Sequence, residues 1–197
     1  VADMLRGLAA KPALVITDSQ AVREVAAAVP EDIRLTTFST LFARYKGDFA
    51  AQLAGAAAID TLKDGDRVLI AEGCSHHVTC DDIGRVKIPN WMKKYTGREL
   101  KFEWTQGADF PDNLEDYALV VHCGGCMLNR AEVRRRINEC ARQGVKVTNY
   151  GIVISKMQGV LERVVKGIAD AGATGSVSAT GSISDTGSIS DTGEEGD

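Results

Sequence analysis

Two short apolar runs constrain this chain more than any other feature. Val68-Leu69-Ile70-Ala71 leads to Cys74-Ser75-His76, and Ala118-Leu119-Val120-Val121 leads to His122-Cys123-Gly124-Gly125-Cys126. Runs of this length, bounded by polar turns, read as buried strands. In an open α/β sheet, sites form outside the carboxyl ends of parallel strands. Two soft-ligand pairs at two such ends can therefore converge on one metal or cluster.

The surrounding pattern supports such a sheet. Residues 13–17 and 33–38 read as strands, with a short helix over 19–29 closed by Pro30. Residues 42–62 are alanine-rich, with Phe49, Leu53 and Ala57 at four-residue steps, and predict one helix. Asp64-Gly65-Asp66 turns into the strand at 67–71, and residues 100–104 alternate like a strand with one polar face. Asn129 with Glu132 starts a helix in the manner of a capping box, and Gly144 suits its C-terminal cap. Val133, Ile137, Cys140 and Ala141 share one face of it. A strand at 145–148 and a helix at 154–165 complete the body. This order predicts an α/β fold with mostly parallel sheet, flanking helices and a site at the strand carboxyl ends.

Composition narrows the class. The 44% hydrophobic content is that of a globular chain of 197 residues, and no apolar run approaches a membrane span. No signal segment is evident at the start, so a cytoplasmic protein is expected. Six acidic and no basic residues lie from Ile168 onward, against 21 acidic and 23 basic before it. The nearly neutral body gives no electrostatic case for nucleic acid or membrane. The tail repeats Gly-Ser-Ile-Ser-Asp-Thr at 181–186 and 187–192, too few apolar positions to offset chain entropy. Residues 168–197 are expected to be a disordered acidic extension.

The five cysteines are Cys74, Cys80, Cys123, Cys126 and Cys140. Three stand in ligand-like spacings, which favours a metal over disulfides in a chain without a secretion signal. Cys-x-x-Cys lets two thiolates bind one centre from one turn. A thioredoxin-type pair would need the motif to open a helix directly, and the next helix starts only after Asn129. Cys74, His76, Cys123 and Cys126 suit a tetrahedral zinc site, whereas three thiolates with histidines nearby suit an iron–sulfur cluster with an open position. Composition and spacing do not separate these two. Cys140 reads as core. Cys80 is a spare thiol or a ligand. His77 is expected to point away from His76. Asp81 and Asp82 either cap the loop or supply a carboxylate. Residues 85–101, basic and aromatic near Trp104, read as a solvated surface with buried Trp, and Arg134-Arg135-Arg136 as an outer helix face. Phosphate-cradling Gly-x-x-x-x-Gly-Lys and Gly-x-Ser-x-Gly motifs are absent from the sequence.

Cys-x-His, 45 residues, then His-Cys-x-x-Cys resembles the signature of the HydF family, the FeFe-hydrogenase maturation GTPases and scaffolds. Leu41-Phe42-Ala43-Arg44-Tyr45-Lys46-Gly47-Asp48, Ile83-Gly84-Arg85-Val86-Lys87-Ile88-Pro89-Asn90-Trp91 and Asn149-Tyr150-Gly151-Ile152 are similar to blocks of that family too. The resemblance spans roughly residues 10–166. It implies a 4Fe–4S cluster on Cys74, Cys123 and Cys126, with an exchangeable fourth position. In some members a carboxylate seven residues after the first cysteine fills that position, which falls on Asp81 here. His76 and His122 match the motif histidines. Asp81 or a solvent-derived ligand is favoured over Cys80, because a carboxylate is weakly held and adjacent loop residues point apart. The resemblance further implies part of a dimerisation domain over 1–45 and a cluster-binding domain over 46–167. The expected role is a scaffold that carries a transient diiron precursor to the FeFe-hydrogenase apoprotein, with radical-SAM maturation proteins as partners and a homodimer or tetramer as its state. The family's GTPase domain is not in this sequence, so the chain is expected neither to bind GTP nor to act as an enzyme. The alternatives carried forward are a structural zinc-binding interaction module and a thiol–disulfide redox protein.

Overall fold

The computed structural model describes residues 1–74 and 82–169. The elements in chain order are α1 (Ala2–Arg6), β1 (Val15–Thr17), α2 (Val22–Ala28), β2 (Leu35–Thr37), α3 (Phe38–Lys46), α4 (Phe49–Ala57), β3 (Arg67–Ala71), α5 (Ile88–Thr96), β4 (Lys101–Thr105), β5 (Leu119–His122), α6 (Arg130–Arg142), β6 (Lys146–Asn149), α7 (Tyr150–Met157) and α8 (Leu161–Ala169). Among the described residues, β1 and β2 form a small parallel sheet, and a second sheet of order β4-β3-β5-β6 is parallel throughout. The expected α/β architecture is present.

Alternation along β3 and β5 feeds two cores. Val68, Ile70, Leu119 and Val121 pack one face against Ile88 and Met92 of α5 and Val153 and Ile154 of α7. Leu69, Ala71 and Val120 pack the other against Val133, Ile137 and Cys140 of α6. Strands covered on both faces read as continuous apolar runs, which is why these two were legible. Helix α4 lies on β6 so closely that a Cβ on Gly55 would sit 1.9 Å from the Val147 carbonyl oxygen. The small sheet is covered by α8: a Cβ on Gly167 would fall 2.1 Å from the Leu35 carbonyl oxygen. Arg163 of α8 donates to the carbonyls of Ala26, Val29 and Pro30, tying off the end of α2.

Several boundaries differ from the sequence reading. The expected helix over 42–62 is two helices, because Asp48 caps a new one by accepting from the Ala51 amide at 2.9 Å. Phe38 opens α3 rather than closing a strand. The expected helix over 154–165 is likewise split, into α7 and α8, at a turn through Gly159. Helix α5 was not foreseen. Asp82 starts the preceding π-helical turn, Ile83–Lys87, accepting from Gly84 and Arg85 amides at 2.8 Å, so it caps. Pro89 then falls in the first turn of α5, where its missing N–H costs nothing. Trp104 is 38% exposed, not buried, with its indole N–H on the Gly84 carbonyl at 3.1 Å.

Arg136 is not on an outer face. It lies on the stripe of Val133, Ile137 and Cys140 and is fully buried. Helix α8 continues to Ala169 and buries Ile168, so the start of the expected tail belongs to the fold. The remainder of that tail lies outside the described residues. Among the described residues no helix is long and apolar enough to cross a membrane.

Candidate metal centre

The register aligns the carboxyl edge of the sheet. Ala71 pairs with Thr105 on one side and His122 on the other, and His122 pairs with Asn149. Pairing continues one residue further: the Cys123 amide donates to Ala71 and the Glu72 amide to Thr105, both at 2.9 Å. Cys123 is thus fixed to the sheet, and Cys74 follows β3 by three residues.

The Cys123 sulfur accepts two backbone N–H groups, from Gly73 at 3.0 Å and Gly125 at 3.3 Å. A Cβ on Gly73 would press on Leu128 at 2.8 Å and on the Cys123 sulfur at 3.4 Å. Gly125 holds φ of +64°, a left-handed conformation that turns its amide back to that sulfur. Such a cradle suits a thiolate, because N–H donors stabilise sulfur charge.

Electrostatics brings the three cysteines together. Burial pushes the Cys123 thiol up, the two amides oppose it, and the charges of Cys74 and Cys126 push it further up. Burial also raises Cys74, followed by the charges of Cys126 and Glu72. Cys74 and Cys126 both act on Cys123, and Cys126 acts on Cys74, a repulsion that a bound cation would offset. Among the described residues, no three Cys, His, Asp or Glu side chains stand as a ready ligand group for a metal ion. His76, His77, Cys80 and Asp81 lie outside the described residues, so the fourth-ligand candidates do as well. The soft donor set of Cys74, Cys123 and Cys126, with the amide cradle at the Cys123 sulfur, fits a thiolate-held metal or cluster.

His122 sits 1% exposed. Its Nδ1 lies 2.8 Å from the Cys123 carbonyl, so that nitrogen carries the proton and donates. Burial pushes its pKa down to about 4, which leaves the ring neutral at pH 7. Cys140 is buried in the core as expected, its thiol pushed up to about 12 by burial.

Four neighbours were not singled out from the sequence as site residues. Lys46, at the end of α3, donates to the carbonyls of Gly125, Cys126 and Leu128 at 3.0, 3.1 and 2.7 Å. Ser39, two turns earlier on the same helix, meets Gly124, whose Cβ would fall 3.2 Å from its hydroxyl. Helix α3 therefore grips the loop that carries Cys123 and Cys126. Tyr150, opening α7, holds a buried hydroxyl with no hydrogen-bond partner among the described residues; burial, then the charges of Cys123 and Glu72, keep it protonated. Glu72 is buried beyond β3, bonded to Gln106 at 3.0 Å. The block Leu41-to-Asp48 was the one sequence signal that pointed to Lys46.

Glu132 accepts from Arg135 at 2.7 and 2.8 Å and from Arg136 at 2.7 Å, and these two guanidiniums hold its pKa near 2. Its folded pKa lies below the unfolded value of 4.5, so this stabilisation is present above about pH 4.5 and lost as pH falls toward 2. Glu132→Gln leaves a buried guanidinium short of its counter-charge. It is expected to cost about 2 kcal/mol at pH 7, discounted for partial solvent contact. The gap to wild type should close between pH 4.5 and 2 in urea titrations of the metal-free chain. A constant gap across that range would refute the assignment.

Comparison with known families adds two matches. The hydrogen maturase F tetramerization domain matches residues 50–167, and the hydrogen maturase F dimerization domain matches residues 1–47. Comparison with curated proteins finds no match.

Proposed function

Since the chain belongs to the hydrogen maturase F family, we propose that it serves hydrogenase maturation as a scaffold, with a 4Fe–4S cluster on Cys74, Cys123 and Cys126. The observation that carries this reading is the placement of Cys123 and the Gly73-Cys74 turn at one sheet edge, with the amides of Gly73 and Gly125 aimed at the Cys123 sulfur. When bound, such a cluster supplies iron with one exchangeable coordination position. The diiron precursor is then the cargo, received at that position and handed to the FeFe-hydrogenase apoprotein with radical-SAM maturation proteins as partners. Asp81 is the proposed fourth, weakly held ligand, ahead of His76 and His122.

In this reading each residue holds or orients and none turns over substrate. Cys74, Cys123 and Cys126 bind. Gly73 and Gly125 stabilise the Cys123 thiolate. Lys46 and Ser39 fix the loop from α3, which lies in the segment matching the dimerization domain. No GTP binding by this chain is proposed. A thiol–disulfide role would need a depressed thiol pKa at Cys123 or Cys126, and burial raises Cys123 instead. The matched domains are named for dimerization and tetramerization, which supports a homo-oligomer.

Anaerobic reconstitution with iron and sulfide, followed by iron, sulfide and zinc analysis, tests the proposal. Iron and sulfide in equal amounts, near four of each per chain, are expected. Stoichiometric zinc without sulfide would replace the scaffold by a structural zinc module. Lys46→Met adds a finer check. Loss of a group that orients ligands typically weakens metal retention by roughly 10–100-fold. The variant should keep its fold yet lose iron to a chelator at least tenfold faster, and an unchanged rate would remove Lys46 from the site.

A further inference from the structure

We propose that the cleft between the Gly73-Cys74 turn and α6 binds a small anion, held beside Cys74 by the guanidinium groups of Arg136 and Arg135. The cleft has a volume of about 470 Å³, and Cys74, Gly107, Glu132, Arg135 and Arg136 are among its walls. Arg136 is fully buried, with Nε on the Glu132 carboxylate at 2.7 Å and Nη2 on the Gly107 carbonyl at 2.5 Å. Both partners border the same cleft. Its Nη1 is buried and makes no hydrogen bond among the described residues. A buried cationic donor without an acceptor is costly, and because Arg136 borders the cleft beside the exposed Arg135, an anion held by Arg135 would lie next to it.

Net charge agrees with that geometry. Of the charged side chains that line the cleft, Glu132 is one carboxylate against the two guanidiniums of Arg135 and Arg136, while Glu139 and Asp112 act on Arg135 from outside the lining. The Phe110 ring lies 5.9 Å from the Arg135 guanidinium carbon and 5.1 Å from that of Arg136, which holds both against the wall. The ligand class is a monoanion the size of a carboxylate or pseudohalide, or one such group on a larger unit docking at Cys74. The site requires no metal in place, so it goes beyond the cluster reading and stands or falls separately from it.

The experiment uses the reduced, metal-free full chain at low ionic strength. Cys74 and Cys126 are alkylated with anionic iodoacetate or neutral iodoacetamide, and each site's rate is read by peptide mass spectrometry. The iodoacetate-to-iodoacetamide ratio should be roughly three- to tenfold higher at Cys74 than at exposed Cys126, the effect of one charge at close range. Thiocyanate should slow iodoacetate at Cys74 saturably. Arg136→Met and Arg135→Gln should each bring the Cys74 ratio down toward that of Cys126. Should Arg136→Met fail to fold, the exposed Arg135→Gln and the thiocyanate protection decide the matter. Equal ratios at the two cysteines in the wild type, or no response to Arg135→Gln and to thiocyanate, would overturn the anion site.

Discussion

Gly55→Ala is expected to destabilise the protein by about 3 kcal/mol, although alanine favours helices over glycine by about 1 kcal/mol. The added Cβ would lie 1.9 Å from the Val147 carbonyl oxygen and 2.4 Å from its carbon. Those are backbone atoms of a strand that is hydrogen-bonded to β5, so neither α4 nor β6 can give way cheaply. Overpacking against fixed backbone therefore outweighs the propensity gain. The melting temperature should fall by roughly 6–12 °C. Gly7→Ala is the control, since its Cβ would meet nothing closer than 3.6 Å. A Gly55→Ala protein as stable as wild type would mean that α4 stands farther from β6 than described.

Cys123→Ser is expected to remove most metal while leaving the fold in place. Serine is nearly isosteric and still accepts the Gly73 and Gly125 amides, but its hard oxygen is a poor ligand where soft thiolates are required. Iron after anaerobic reconstitution should fall to about a tenth of wild type or less, with the metal-free melting temperature within a few degrees. Cys140→Ser should show the opposite signature. Its sulfur is wholly buried among Val133, Ile137 and Val145, so a hydroxyl there loses stability and keeps the metal. Full iron retention in Cys123→Ser would exclude Cys123 as a ligand, whatever the identity of the metal.

The elements legible in the sequence were those whose cause is local. Strands β3 and β5 announced themselves because burial on both faces demands unbroken apolar runs. The start of α6 was marked by Asn129, whose side chain accepts from Glu132 at 2.9 Å, and Cys140 fell on its apolar stripe. The cysteine pairs pointed to one edge because parallel strands send their carboxyl ends the same way. Illegible features depend on distant partners. Lys46 looks like an ordinary basic residue at a helix end until the carbonyls of a loop 79 to 82 residues away meet it. Arg136 stood within a charged triplet that suggested solvent, yet Glu132 and Gly107 take it into the interior. The break at Gly47-Asp48 was hidden by alanine-rich sequence on the far side, where propensity alone favours one continuous helix.

The embrace of β2 by α8 has a consequence for how the chain matures. Arg163 reaches back 137 residues to Ala26, and Gly167 rests on Leu35. Synthesis from the amino terminus delivers β1, α2 and β2 long before their cover exists. Contacts of such sequence separation close late, because the entropy of the intervening loop must be met first. The small sheet would therefore leave the ribosome with the face that α8 covers still open, to be closed only after β6, the last strand of the four-stranded sheet, has been made. The segment that matches the dimerization domain is thus covered by the end of the segment that matches the tetramerization domain, so cutting the chain between them would uncover Leu35 and free the end of α2.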